Sequence, residues 1–159
     1  MGFIEAIKSC FKKYVSIKGR APRSEYWYFT LFLVLLGIAA GTLDVLIFGI
    51  QTLDSTSGGP IEVITSLATL IPSITVAVRR LHDINKSGFY ICLPLAGIII
   101  GFIAVFTMTS SAGVIIGVAI GIVSVLWYLW WMIKPSDPGP NRFGPNPFNE
   151  TEDLAEVFE

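Results

Sequence analysis

The stretch that decides the fold runs from Ser87 to Ile133 and reads SGFYICLPLAGIIIGFIAVFTMTSSAGVIIGVAIGIVSVLWYLWWMI. Between Lys86 and Lys134 it keeps 47 consecutive residues free of Asp, Glu, Lys and Arg. A helix needs about 20 apolar residues to cross about 30 Å of hydrocarbon, because each residue adds about 1.5 Å. The stretch is long enough for two such helices and therefore predicts an integral membrane protein.

The composition of the whole chain agrees with a membrane location. Hydrophobic residues make up 53% of the 159 residues and charged residues only 14%, against about 25% charged residues in soluble domains. The mean hydropathy is +0.68. A net charge of −1 argues against nucleic acid as a partner, since such proteins are usually basic. Cys10 and Cys92 are too few for a disulfide framework.

Four apolar segments predict an all-α, polytopic fold with four transmembrane helices. We place the spans at about residues 27–50, 62–78, 88–107 and 113–133. The chain then divides into a basic amphipathic segment at 1–25, a transmembrane domain at 26–133, and a Pro/Gly-rich segment with an acidic tail at 134–159. Pro72 and Pro94 are expected to kink the second and third helices.

The segments on either side of the spans have their own patterns. Residues 1–15 are typical of an amphipathic helix, with an apolar face formed by Phe3, Ile7, Cys10, Phe11 and Tyr14. The opposite face holds Glu5, Ser9, Lys12, Lys13 and Ser16. Such a helix lies either in the membrane interface or against the ends of the bundle. The five prolines in 134–147 exclude a helix there and favour a lid over the helix ends, whereas 150–159 forms either a short helix or a solvated tail.

The basic residues predict the orientation of the chain. All eleven Lys and Arg precede the first span, lie between the second and third spans, or follow the fourth. The two remaining loops carry none. Because cytoplasmic loops are enriched in Lys and Arg, we predict that both termini are cytoplasmic.

The densest polar cluster is Arg79-Arg80-Leu81-His82-Asp83, which we expect in a loop just after the second span. Four interpretations remain open: binding of anionic lipid headgroups, a salt-bridged latch to Glu25 or to the acidic tail, a proton or metal site, and a structural loop network that holds the helix ends together. The metal interpretation is the weakest, because the chain has one histidine and no carboxylate at ligand spacing from it. The candidate polar surface comprises Arg20, Arg23, Glu25, Arg79, Arg80, His82, Asp83, Asn141 and Arg142.

Asp44 is the ionisable residue deepest within a predicted span, and such residues are candidates for transport or proton relay. Counted from Trp27, it lies about 25 Å across the membrane, near the outer headgroups, where water can solvate the carboxylate. Gly37, Gly41 and Asp44 lie along one face of the helix, so the alternative is an acid that points into the bundle. Small residues recur every four positions in Gly37/Gly41, Gly97/Gly101 and Gly113/Gly117/Gly121. Such faces let helices approach closely, within the bundle or between partners.

Three segments together resemble a bacterial inner-membrane family known as domain of unknown function 805. They are GRAPRSEYW at 19–27, RRLHD at 79–83 followed by SGF at 87–89, and GPNRFG at 139–144. Family members usually carry Trp where this chain has Phe89. The resemblance implies a small polytopic protein of the bacterial cytoplasmic membrane, and it implies no established activity and no catalytic residues.

The sequence therefore favours a non-enzymatic inner-membrane protein that acts through lipid or protein contacts at its cytoplasmic face. The expected partners are anionic lipids, and a second copy or another membrane protein on the glycine faces. No cofactor or metal is expected, and a complete catalytic set is not apparent. The alternative is a small transporter or channel subunit, which would need a polar pathway that four nearly uncharged spans do not obviously provide.

Overall fold

The computed structural model describes residues 1–53, 58–107 and 110–147. Within these ranges the chain is helical and contains no β-strand, and Asn141 and Gly144 form an isolated bridge. The acidic tail at 150–159, expected as a helix or a solvated segment, lies outside the described residues. The all-α class is confirmed.

The helices follow one another as the hydropathy predicted. They are α1 (Phe3–Lys12), α2 (Arg23–Phe48), a 3-10 turn (Ile50–Leu53), α3 (Pro60–Asp83), a second 3-10 turn (Gly88–Cys92), α4 (Leu93–Thr107) and α5 (Ser111–Ile133). In the described part of the chain, four stretches are long and apolar enough to cross a membrane: α2, α3, Gly88–Thr107 and α5. The four predicted spans are therefore confirmed.

Several boundaries differ from the sequence prediction. Helix α2 already begins at Arg23, and α3 continues to Asp83, so the Arg79–Asp83 cluster is helical and the prediction of a loop there is wrong. The third span opens with a 3-10 turn, which Ser87 caps by accepting the N–H of Phe89. Pro94 lies in the first turn of α4, where no intrahelical donor is needed. The kink expected at Pro94 stays a prediction.

The chain forms two compact units, of which the first comprises Met1–Ile17 and Ser24–Val76. Here α1 packs on α2 through Ala6 and Cys10, which are completely buried. The ring of Phe3 meets that of Tyr28 edge-on at 6.0 Å. The predicted amphipathic helix is thus confirmed, although Ser9, assigned to its polar face, points inward and donates to Glu25 at 3.0 Å.

In the first unit, a tyrosine hydroxyl donates to a backbone carbonyl of α3 that a proline leaves without its usual donor. Pro72 lies inside this helix and has no N–H to donate to the carbonyl of Ala68, four residues earlier. The hydroxyl of Tyr14 donates to that carbonyl at 2.6 Å. In a bilayer an unsatisfied carbonyl costs several kcal/mol, so this contact removes the main penalty of a proline within a membrane span.

The second unit comprises Lys18–Arg23 and Ala77–Glu159, and its apolar part is the antiparallel pair of α4 and α5. The two backbones approach each other at Gly101 and Gly117. A Cβ at Gly117 would lie 2.5 Å from the carbonyl oxygen of Gly101, well inside contact distance. Ser110 caps the start of α5, and its hydroxyl accepts the N–H of Gly113 at 3.3 Å. Two of the predicted glycine faces are therefore used within the chain.

The third glycine face is different. In the first unit, a Cβ at Gly37 would have no described heavy atom within 4 Å, and one at Gly41 would meet only the carboxylate of Glu62 at 3.9 Å. Close helix packing is therefore not observed at Gly37 and Gly41 among the residues that the structure covers.

Candidate functional site

The candidate site is built on the carboxyl end of α3 in the second unit. Asn85 adopts a left-handed conformation, with φ of 56°. The N–H of Asn85 donates to the carbonyl of His82 at 3.0 Å, and that of Lys86 donates to the carbonyl of Leu81 at 2.9 Å. These two bonds define a Schellman motif, with Asn in the position usually taken by Gly. The motif ends α3 just after the polar cluster, whose residues at the end of the helix are buried.

Asp83 is the centre of the site. Its carboxylate accepts the Nε–H of Arg20 at 3.0 Å and also accepts from Nη1 of Arg80. The hydroxyl of Ser136 donates to the same carboxylate. The side chains of Arg20, Arg80 and Asp83 are at most 1% exposed. A buried carboxylate with three donors is well satisfied, and losing it would leave two buried cations without their counter-charge.

Arg20 ties the Pro-rich segment to this centre. Its Nη1 donates to the carbonyl of Gly139 and its Nη2 to that of Asp137, each at 2.7 Å. In return, the N–H of Asp137 donates to the carbonyl of Asp83 at 3.0 Å. Gly139 has φ of +71°, a conformation that favours glycine. One planar guanidinium therefore positions a turn that is more than a hundred residues distant in sequence.

Arg80 and Arg23 cap the carboxyl end of α5. Arg80 donates through Nε to the carbonyl of Met132 at 3.2 Å and through Nη2 to the carbonyl of Lys134. Arg23 donates to the carbonyl of Ile133 at 3.3 Å. The last carbonyls of a helix lack intrahelical donors and carry partial negative charge. These arginines satisfy both needs at once.

The turn at 141–144 closes over His82. The amide of Asn141 donates to the carbonyl of His82 at 2.9 Å, and its side-chain oxygen accepts the N–H of Phe143 at 2.9 Å. The rings of His82 and Phe143 stack with centroids 3.8 Å apart and planes 4° apart. Arg142 stays exposed and donates to the carbonyl of Asn85 at 3.1 Å. The Pro-rich segment is thus folded onto the end of α3.

The predicted site residues separate into two groups. Arg20, Arg79, Arg80, His82 and Asp83 are buried. Arg23 and Arg142 are exposed, and Asn141 is half-buried. Arg79 also holds the chain before α2, since its carbonyl accepts the N–H of Ala21 at 3.0 Å. The buried residues form an internal network, whereas Arg23 and Arg142 keep their charges at the surface.

Glu25 and Asp44 belong to the first unit. Glu25 is buried and accepts the hydroxyl of Ser9 at 3.0 Å and the thiol of Cys10 at 3.8 Å. Asp44 is 1% exposed. The prediction that water solvates its carboxylate near the outer headgroups is therefore wrong. Its carboxylate accepts the N–H of Ile61 at 3.0 Å and that of Glu62 at 2.8 Å.

Asp44 therefore caps the amino end of α3 from the neighbouring helix. Pro60 begins α3, and the first N–H groups of any helix lack internal acceptors and attract negative charge. Gly59 gives the carboxylate room, because a Cβ at that position would overlap Asp44. The acid therefore has a structural task at the start of α3.

Sequence reasoning missed two partners in these networks. The hydroxyls of Ser136 and Ser9 donate to the carboxylates of Asp83 and Glu25, respectively. Each is an ordinary serine in a polar stretch. The contact partners are 53 and 16 residues away, and no local pattern marks them. Among the described residues no group of three His, Cys, Asp or Glu is placed to hold a metal ion.

The fold and this site define a class: an α-helical membrane protein whose spans are tied together by buried polar contacts at their ends. The family model described as "Protein of unknown function (DUF805)" matches residues 14–145. The chain belongs to this family, and the resemblance inferred from three sequence segments is confirmed. No solved structure matches the chain significantly.

Two curated proteins of Escherichia coli (strain K12) are similar to the chain. Inner membrane protein YhaH is 30% identical over 136 residues, which is 86% of this chain and 90% of YhaH. Inner membrane protein YhaI is 36% identical over 85 residues, which is 54% of this chain and 66% of YhaI. The chain is accordingly a multi-pass protein of the bacterial inner membrane, in a family of unknown function.

Proposed function

We propose that this protein is non-enzymatic and acts through contacts with anionic lipids, or with proteins, at its cytoplasmic face. The observation that carries the proposal is the outer face of α1. Ile4, Lys8 and Lys12 follow one another at four-residue spacing and are all exposed. This face turns away from Ala6 and Cys10, which are buried against the unit.

Such a face suits an anionic membrane surface. Each Lys or Arg near such a surface contributes about 1 kcal/mol, and an exposed apolar residue such as Ile4, which is 59% exposed, gains by entering the interface. The two lysines on this face of α1 therefore supply about 2 kcal/mol of attraction at low salt. Both termini would then be cytoplasmic, as the distribution of basic residues predicts.

The buried network around Asp83 supports a non-enzymatic function. The guanidinium groups of Arg20 and Arg80 donate hydrogen bonds to Asp83 and to backbone carbonyls. His82 stacks on Phe143, and its carbonyl accepts from Asn141. Side chains occupied in this way hold the fold together. These contacts fix helix ends and the Pro-rich segment, which is why we propose a contact function and not a reaction.

The proposal is tested by measuring how strongly the protein prefers anionic lipid. Full-length protein is placed in mixed vesicles, and spin-labelled phosphatidylglycerol and phosphatidylcholine report the fraction of each lipid in contact with protein. The variant Lys8→Gln with Lys12→Gln should lower the preference for phosphatidylglycerol several-fold. High salt should do the same to the unmodified protein, because exposed charges are screened within about 10 Å at 0.1 M.

The matched control removes two charges from the second unit, as Lys18→Gln with Arg142→Gln. We expect a smaller loss of preference than for the α1 variant. An equal loss in both variants, or none in either, would contradict the assignment to α1.

The alternative of a transporter or channel subunit has a direct test. In the proposal, Asp44 is a helix cap and carries no ion. Purified protein in liposomes should therefore show no solute or proton flux that depends on Asp44. A flux that Asp44→Asn abolishes while the protein stays folded would favour the transporter.

A further inference from the structure

The second unit carries an apolar groove at the surface of α5. Its volume is about 700 Å³, and it is lined by a stripe of α5 that includes Ile116, Ala119, Val123 and Trp127, with Leu93 from the start of α4. These α5 residues recur at spacings of three and four, so they share one face of the helix. Ala119 is the smallest of them and leaves the depression between its larger neighbours.

One end of the groove is aromatic and carries a cation. Tyr90 and Trp131 line this end and meet edge-on, with ring centroids 5.0 Å apart. The ammonium of Lys86 lies 5.7 Å from the centroid of Tyr90 and 5.6 Å from that of Trp131. Neutral rings hold an ammonium in place without cancelling its charge. Within the part of the chain that the structure describes, Lys86 forms no ion pair with a carboxylate.

We infer that this groove binds one anionic phospholipid, with an acyl chain along the α5 stripe and the phosphate at Lys86. Lys86 lies at the aromatic end of the groove, where a lipid phosphate is expected. Aromatic residues and lysines of membrane proteins lie at headgroup depth, while the aliphatic side chains lie deeper. The inference rests on the proposed function in one respect, namely that anionic lipid is the ligand. Its residues are separate from those of α1.

The dimensions favour a lipid chain over a protein helix. From Ile116 to Trp127 the groove is about 16 Å long at 1.5 Å per residue. A helix is about 10 Å across. An extended acyl chain covers the same length with a much smaller cross-section. The alternative occupant is a second copy of the chain, and the test must distinguish it from lipid.

The test is a lipid titration of the full-length protein followed by native mass spectrometry. Phosphatidylglycerol and phosphatidylcholine with identical acyl chains are compared. The unmodified protein should bind one phosphatidylglycerol about five-fold more tightly than phosphatidylcholine, as expected for one interfacial lysine. In the background Lys8→Gln with Lys12→Gln, which removes the proposed α1 contact, Lys86→Gln should abolish this preference, whereas Lys86→Arg should keep it.

Filling the groove tests the acyl chain. Ala119→Phe should weaken binding of both lipids about ten-fold, because it displaces about two methylenes. Val118→Phe is the matched control, since Val118 is the neighbouring residue, is exposed and does not line the groove. It should leave binding unchanged.

Three outcomes would overturn the inference. They are a preference for phosphatidylglycerol that survives Lys86→Gln in the α1-variant background, equal effects of Ala119→Phe and Val118→Phe, and a dimer that Ala119→Phe converts to monomer. The α1 variant Lys8→Gln with Lys12→Gln separates the two proposals. It should leave the single site intact, so this site and the α1 contact can fail independently.

Discussion

At the residue scale, the protein uses buried charges mainly to complete helix ends. Asp44 accepts two N–H groups at the start of α3, and Arg80 donates to two carbonyls at the end of α5. Water is scarce at such positions in a membrane protein, so the terminal backbone groups need protein partners. Each charge has the sign that complements the helix dipole it faces.

Replacing Asp83 by Ala should destabilise the protein by about 3–5 kcal/mol, because two buried guanidinium groups lose their counter-charge. Asp83→Asn should cost less, since an amide oxygen still accepts one hydrogen bond. Thermal unfolding in detergent, followed by tryptophan fluorescence, measures the effect. The control is Asp137→Asn, which removes the same charge from a residue that the network contacts only through its backbone. A shift for Asp137→Asn as large as that for Asp83→Asn would contradict the role of Asp83.

Replacing Asp44 by Ala should lower the free energy of unfolding by about 0.5–2 kcal/mol, the usual cost of removing a helix cap. Asp44→Asn should retain part of the cap. The comparison is Thr42→Ala on the same helix, whose exposed hydroxyl donates only to its own helix at Ile38. If Asp44→Ala and Thr42→Ala melt alike, the carboxylate does not stabilise α3.

At the element scale, glycine decides where helices touch. The faces Gly97/Gly101 and Gly113/Gly117/Gly121 look alike in sequence, yet their members differ in the structure. A Cβ at Gly117 would lie 2.8 Å from a methyl group of Val105, whereas one at Gly121 would have no described heavy atom within 4 Å. Small residues in membrane helices matter only where a second backbone approaches.

Gly117→Ala should therefore destabilise the pair of α4 and α5, whereas Gly121→Ala should be neutral or stabilise the protein by up to about 1 kcal/mol through helix propensity. Overpacking of a tight contact typically costs about 1–3 kcal/mol. The melting temperatures of the two variants in the same detergent provide the measurement. Equal melting temperatures would show that the Gly101–Gly117 approach is not a tight contact.

At the scale of the whole molecule, the chain is a four-span protein of the bacterial inner membrane. The spans present many exposed apolar side chains, including Leu46 and Phe106, which are 74% and 71% exposed. Such surfaces are normal where lipid is the solvent, because exposed leucine or phenylalanine costs nothing against acyl chains. The polar residues concentrate instead at the helix ends.

The predicted orientation places Gln51 outside the cell and Lys18 inside. In a background with Cys10→Ser and Cys92→Ala, a membrane-impermeant maleimide added to spheroplasts should label Gln51→Cys. It should label Lys18→Cys only after the membrane is opened. Both side chains are exposed, so protein burial does not limit access. The reverse pattern would show that the termini are not cytoplasmic.

The sequence by itself determined the class of the protein, the number of spans and the family. These depend on local quantities, since hydropathy adds along about 20 residues and the three family segments are contiguous. It also identified most members of the polar network, because charged residues are rare here. Their grouping was not visible, since Arg20 and Asp83 are 63 residues apart and Arg20 and Asp137 are 117 apart.

Only the tertiary structure decided what those residues do. A sequence shows that Arg79 and Arg80 carry charge at the end of a span, but not that their side chains are completely buried. It shows Asp44 near the end of a helix, but not that Ile61 and Glu62 place their N–H groups within hydrogen-bonding distance of it. The physical reason is that capping and ion pairing require atoms within about 3 Å, and the chain brings such atoms together only when its helices pack.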